Sequence, residues 1–267
     1  MPNLADGARA SVSFEGVSLA FGERNVLRDF SCSFEPGRIS VILGGSGAGK
    51  TTILRLVGGL VRPQSGRILV AGHDVCRLGH REMYAVRDQL GMMFQGGALL
   101  DSKTVFDNLA LPLREHKQFG EAEIANEIRQ QLAAVGLADA EKLLPGQLSG
   151  GMVKRAALAR ALILKPQILL CDEPFSGLDP ISVKRIEALL RQTNEALGVT
   201  MLVSSHHLRS TMRMADRIVL LVDGTAIAGT PAELKANEDP WVREFFDDDH
   251  QVAERSVERD PESRPVL

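Results

Sequence analysis

Arg38-Ile39-Ser40-Val41-Ile42-Leu43-Gly44-Gly45-Ser46-Gly47-Ala48-Gly49-Lys50-Thr51 is the stretch whose reading decides the fold. Residues 38–43 form a short, strand-like stretch, and the run from Gly44 fits G-x-x-x-x-G-K-[ST]. Strand, glycine loop and helix in that order mark a nucleotide phosphate site. The glycines let the backbone curl so that successive N–H groups point inward, and the helix that follows aims its positive end at the same charge. Gly44, Gly45, Ser46, Gly47, Ala48, Gly49, Lys50, Thr51 and Thr52 are therefore the candidate nucleotide-binding residues. Lys50 supplies a mobile positive charge. Thr51 puts a hydroxyl where Mg²⁺, held by few protein oxygens together with phosphates and water, needs a ligand.

Outward from this loop, Ile168-Leu169-Leu170-Cys171, Val199-Thr200-Met201-Leu202-Val203 and Ile218-Val219-Leu220-Leu221-Val222 are continuous apolar runs. Such runs belong to a parallel sheet covered on both faces. Residues 11–35 and 66–75 instead alternate, as at Val12, Phe14 and Val17 and at Ile68 and Val70, which predicts a small antiparallel layer beside the main sheet. Between about residues 100 and 165 the period becomes helical. Ile124, Ile128, Leu132 and Val135 share one face and Gly136 closes it, so this part reads as a helical insert. A further helix runs from an Asp179 cap and Pro180 to Gly198, with Ile186, Leu189, Leu190 and Leu197 on one face. One domain over residues 1–246 is expected. The acidic stretch 247–267 is expected to be a disordered tail, because it holds too little apolar surface to order by itself.

Composition excludes several classes of function. The chain has 267 residues, a formal net charge of −3 and 4% aromatics, so it offers neither a basic field nor stacking platforms for nucleic acid. No apolar run reaches membrane-spanning length, and the opening residues lack the apolar core of a secretory signal, which places the chain on the cytoplasmic side. Cys32, Cys76 and Cys171 are odd in number and far apart. They read as core cysteines rather than a disulfide framework or zinc cluster.

Asp172 and Glu173 follow a buried strand, at the end where ligands of open α/β sheets collect. Asp172 would hold Mg²⁺ directly or through water, and Glu173 would orient, or take a proton from, the water attacking the γ-phosphate. Farther back, Leu148-Ser149-Gly150-Gly151-Met152 precedes a helix. Ser149 is its N-cap, and Gly150 and Gly151 expose backbone N–H groups at its positive end, which makes a second anion site.

Taken together, the phosphate loop, the Leu148–Met152 segment and Cys171-Asp172-Glu173-Pro174 resemble the signature of ABC-type ATPases. The resemblance spans about residues 10 to 245. It implies an α/β fold of the P-loop NTPase, RecA-like type: a parallel sheet core with an antiparallel β layer and a helical insert. It further implies that Ser149, Gly150 and Gly151 serve the nucleotide of a second subunit, so that hydrolysis of ATP with Mg²⁺ requires a homodimer. By the same likeness Gln95 senses Mg²⁺ and the γ-phosphate, and its loop contacts a membrane partner. His206 is the switch histidine, Asp179 lies at the dimer interface, and Phe21 stacks on adenine unless it faces the core. Two positions depart from the pattern: Met152 stands where glutamine is common, and His207 where an acidic residue is common.

The stretches Phe94-Gln95-Gly96-Gly97-Ala98-Leu99-Leu100, 105–116, 148–161 and 237–245 are similar to those of the Mla phospholipid-transport ATPases. This likeness implies a place on the cytoplasmic face of a Gram-negative inner membrane. The implied partners are an integral membrane permease, an MCE-type lipid-binding subunit and a STAS-domain subunit, and the implied cargo is phospholipid moved between inner and outer membranes. The alternatives are a cassette for another solute and a non-transport ABC ATPase acting on nucleic acid or ribosomes. The second has little support, because the chain has one cassette, no long heptad segment and no basic stripe.

Overall fold

The computed structural model describes residues 12–116, 119–243 and 245–246. In chain order its elements are β1 (Val12–Phe21), β2 (Arg24–Phe34), β3 (Ile39–Leu43), α1 (Lys50–Val57), β4 (Ser65–Val70) and β5 (His73–Asp74). Next come α2 (His80–Arg87), β6 (Leu90–Met93), α3 (Val105–His116), α4 (Glu121–Ala134), α5 (Gly150–Leu162) and β7 (Ile168–Asp172). The chain continues through α6 (Pro180–Leu197), β8 (Thr200–Ser205), α7 (Leu208–Met214), β9 (Arg217–Val222), β10 (Thr225–Gly229) and α8 (Pro231–Lys235).

The strands form two sheets, one in the order β2-β1-β4-β5 and one in the order β10-β9-β3-β8-β7-β6. All pairings of the first are antiparallel, as the alternating pattern predicts. In the second, β9, β3, β8, β7 and β6 run parallel, and only the edge strand β10 is antiparallel. The continuous apolar runs follow from this arrangement. Ile42, Leu170, Leu202 and Val219 point into the core shared with the small sheet and α1, whereas Val41, Leu169, Val203 and Ile218 pack on α5, α6 and α7. Both faces are dry, so both strand phases must be apolar. Each fully buried aliphatic side chain contributes about 1.5–3 kcal/mol.

The helical region has its own core, in which Ile124, Ile128, Leu132 and Val135 of α4 and its end meet Leu109 and Leu113 of α3 and Ala156 and Ala159 of α5. Gly136 closes α4 at φ 67°, a left-handed conformation that suits glycine. Helix α6 begins as its sequence predicts. Asp179 accepts hydrogen bonds from the backbone N–H groups of Ile181 and Ser182 at 2.9 and 3.0 Å, and Gly198 ends the helix at φ 64°. One residue departs from its assigned face: Leu197 is 62% exposed, because it sits in the last turn beyond the layer that α6 covers. The three cysteines are free, and burial pushes the Cys171 thiol up to about 12. No helix among the described residues is long and apolar enough to cross a membrane. The acidic stretch 247–267 lies outside the described residues.

The helical region and the main sheet meet where β6 passes under α5. A Cβ on Gly91 would stand 2.2 Å from the Ala161 carbonyl oxygen and 2.9 Å from Pro166 Cγ. Gly91→Ala should therefore destabilise the chain by about 1–3 kcal/mol, the usual cost of overpacking, seen as a lower urea midpoint at unchanged slope.

Candidate active site

The site grows from the ends of three neighbouring strands. Leu43 of β3 pairs with Ser205 of β8, and Ser204 pairs with Asp172 of β7, so the residues that follow these strands emerge along one edge. A cleft of about 670 Å³ opens there, lined by Phe21, Arg24, Val26, Ser46, Gly47, Gly49, Lys50, Thr51, Thr52, Gln95, Glu173 and His206. A phenylalanine facing the core would be buried, but Phe21 is 52% exposed at the mouth of this cleft.

The loop conformation depends on glycine, at Gly44, where φ is 155°, and more sharply at two further places. Gly49 has φ 106° and a Cβ there would strike Val26 Cγ1 at 2.8 Å, while Gly47 has φ 77° and leaves room for Arg24 Nη2, which donates to its carbonyl at 2.7 Å. Helix α1 begins at Lys50, so its free N–H groups face the loop. The buried Lys50 ammonium donates to the carbonyls of Gly44 and Gly45 at 2.8 and 3.0 Å and lies 3.4 Å from Glu173 Oε1.

Asp172 and Glu173 have separate surroundings although they are adjacent. Asp172 Oδ1 accepts from Thr51 Oγ1 at 2.8 Å and from Ser204 Oγ at 2.7 Å. Glu173 turns the other way because its backbone is left-handed, at φ 47°, a rare conformation for a residue with a Cβ. Its N–H donates to Ser204 Oγ at 2.9 Å, and its Oε2 stands 2.8 Å from His206 Nδ1. A carboxylate that meets both an ammonium and an imidazole, on the wall of a cleft, can hold a water and take its proton.

The donor set suits Mg²⁺. A threonine hydroxyl and one carboxylate meet at the end of the phosphate loop, with the exposed Gln95 nearby in the cleft wall. Among the described residues no group of three or more His, Cys, Asp and Glu gathers, as it would at an all-protein transition-metal site. Few protein oxygens leave room for phosphates and water, which is how this ion is usually held.

Ser149, Gly150 and Gly151 do not line the cleft. They form the exposed start of α5, where Ser149 Oγ accepts from the Met152 N–H at 3.3 Å as the expected N-cap. Asp179 likewise stays outside, capping α6. The two departures from the pattern are also placed: Met152 packs against the core of the helical region, and the His207 ring lies between Phe175 and His206.

Several residues at the site carried no sequence signal. Arg24 and Val26 reach it from β2, Ser204 ties Asp172 to Glu173, and Lys154 of α5 approaches from behind. The Lys154 ammonium donates to the backbone carbonyls of Gln95 and Glu173, the latter at 2.9 Å, and to Ser176 Oγ at 3.1 Å. Burial pulls the Lys154 pKa below the ordinary lysine value, and the charges of Glu173 and Asp172 oppose that pull. Ser204 was the more findable of these, since a serine pair closing an apolar strand is a candidate to meet whatever lies at that sheet edge.

Comparison with known proteins agrees with this geometry. The ABC transporter family model matches residues 27–176. The intermembrane phospholipid transport system ATP-binding protein MlaF of Haemophilus influenzae is 42% identical over 88% of this chain and 89% of its own length. Its Escherichia coli K12 counterpart is 43% identical, over 88% of each. Among solved structures, cbiO1 of Clostridium perfringens, part of an ABC transporter complex, superposes with a TM-score of 0.78 at 26% identity, covering 85% of this chain and 91% of that one. An ATP-binding cassette solved as a dimer in a post-hydrolysis state with ADP and phosphate gives 0.76 at 29%, covering 82% and 98%. A phosphate loop, an acidic pair beside it and a capped glycine pair on a separate helical region thus stand in a chain that belongs to the ABC transporter family, as one of its ATP-hydrolysing subunits.

Proposed function

We propose that this subunit drives a phospholipid transporter that moves lipid between inner and outer membranes and so maintains outer-membrane asymmetry. Support comes from the 42–43% identity to two proteins named for intermembrane phospholipid transport, over nearly nine-tenths of their length. The observation that carries the catalytic half of the reading is the placement of Glu173 between Lys50 and His206 on the cleft wall.

In this reading residues 44–52 cradle the phosphates of ATP, Lys50 leaves its loop carbonyls for the β- and γ-phosphates, and Phe21 stacks on adenine. Thr51, Asp172 and Gln95 would hold Mg²⁺. When bound, that ion would neutralise charge on the phosphate oxygens during transfer. Glu173 accepts the proton of the attacking water, and His206, hydrogen-bonded to it, faces the γ-phosphate. Ser149, Gly150 and Gly151 present their N–H groups to the nucleotide of a second copy, and Asp179 lies at that dimer interface. The whole of 1–246 acts as one cassette, with the insert at about 100–165. It sits peripherally on the cytoplasmic face of the inner membrane, with a permease, an MCE-type lipid-binding subunit and a STAS-domain subunit as partners.

A second reading, a cassette for another solute, has one observation behind it. The Mycobacterium tuberculosis protein named "Probable ribonucleotide transport ATP-binding protein mkl" is 39% identical over 88% of this chain and 66% of its own length. The substrate is decided by what copurifies. Tagged Glu173→Gln protein drawn from membranes with ATP and Mg²⁺ should bring a multi-pass permease, an MCE-type protein and phospholipid, identified by mass spectrometry. A different permease would keep the ATPase and overturn the lipid.

The site assignments make two further predictions. Glu173→Gln should lower turnover by about 10²- to 10⁴-fold while leaving ATP bound in a closed dimer, and retained turnover would remove Glu173 as the base. Lys50→Ala should weaken ATP binding by about 10- to 100-fold, measured by equilibrium titration, because a charged hydrogen-bond donor to phosphate is lost.

A further inference from the structure

Lys154 is 6% exposed, although an ammonium is costly to bury. A hydrocarbon side chain would fill the same place on α5 without that cost. The three N–H donors of Lys154 are matched by three oxygens from two separate loops: the Gln95 carbonyl on the loop after β6, and the Glu173 carbonyl with Ser176 Oγ on the loop after β7. The first loop also carries the candidate sensor Gln95 and the second begins with the candidate base.

The Glu173 contact has the sharpest consequence. Glu173 sits at φ 47°, a strained backbone that persists only where the surroundings hold it. Its N–H is held by Ser204 Oγ at 2.9 Å and its carbonyl by Lys154 at 2.9 Å, so the residue is pinned on both sides. The direction of its carboxylate, 3.4 Å from the Lys50 ammonium and 2.8 Å from His206, depends on that backbone. Resting on the catalytic reading above, we propose that Lys154 is a positioning residue for hydrolysis: from the helix headed by Ser149 it holds Glu173 in its strained conformation and ties the Gln95 loop to it. Lys154 does not line the nucleotide cleft, so it acts on turnover rather than on ATP binding. The same contacts make α5 a mechanical link, through which a displacement of the helical region reaches base and sensor together.

Lys154→Met in the full chain, purified with its membrane partners, tests this. Its kcat for ATP should fall by about 100-fold, the cost of an ångström-scale misplacement, with KM and equilibrium ATP affinity within about twofold of the wild type. Arg155→Met provides the control for damage to the helix, because Arg155 of α5 only caps the end of α4 through the Val135 and Gly136 carbonyls. It should keep the wild-type kcat. Lys154→Gln, which keeps two N–H donors on a side chain one atom shorter and without charge, carries the test if the methionine variant does not fold, with a smaller loss of kcat at unchanged KM. Wild-type kcat in a folded Lys154 variant, or an equal loss of kcat in Arg155→Met, would overturn the proposal and leave the catalytic reading intact. A wild-type complex that hydrolyses no ATP would instead bring down the catalytic reading itself.

Discussion

The in-register parallel pairing of β3, β8 and β7 is the constraint on which the rest of the structure depends. Leu43 stands beside Ser205, and Ser204 beside Asp172, so three strands stop at one level. These strands are buried on both faces and carry charge only where they end, at Asp172. The phosphate loop, Ser204, His206, Asp172 and Glu173 therefore crowd onto one edge, as expected for ligand sites of open α/β sheets. A slip of one residue in β7 would turn Asp172 toward the opposite face and bury an unmatched carboxylate.

Crowding charges at a dry edge is expensive, and the local hydrogen bonding shows how that cost is met. Asp172 is satisfied by two hydroxyls, Lys50 by two loop carbonyls and a carboxylate, and Glu173 by an ammonium and an imidazole. Removing one partner from such a group costs more than the pair itself contributes, because the other charge stays buried. The site thus behaves as a unit. The left-handed backbone of Glu173 separates two adjacent carboxylates into different environments.

The helical region has its own core, yet α5 belongs to both bodies. Its outer side packs on α3 and α4, its inner side faces the main sheet, and its basic residues grip neighbouring loops. Arg160 donates to the carbonyls of Gly97 and Ala98 at 2.9 and 2.7 Å, on the same loop whose Gln95 carbonyl meets Lys154. Polar clamps of this kind hold direction without filling volume. Ser149 and Gly150, at the start of α5, stay exposed.

Much of the fold was legible in the chain. Continuous apolar runs marked the parallel strands, alternation marked the antiparallel layer, and Asp179 and Gly198 marked the ends of α6, because each signal is local and periodic. The phosphate loop and the acidic pair were legible for the same reason: their chemistry lies in contiguous residues. What the sequence could not contain was proximity. Arg24, Ser204 and Lys154 are 19 to 59 residues from the groups they touch, as with Lys154 and Glu173 at 19, Arg24 and Gly47 at 23, and Lys154 and Gln95 at 59. Leu197 kept its place in the helical period but not in the core, since burial depends on where a neighbouring layer ends. The sequence by itself therefore determined the elements and the chemical groups. Only the tertiary structure decided which groups share a cleft and how the Glu173 backbone is held, because those depend on strand register and on side chains reaching across loops.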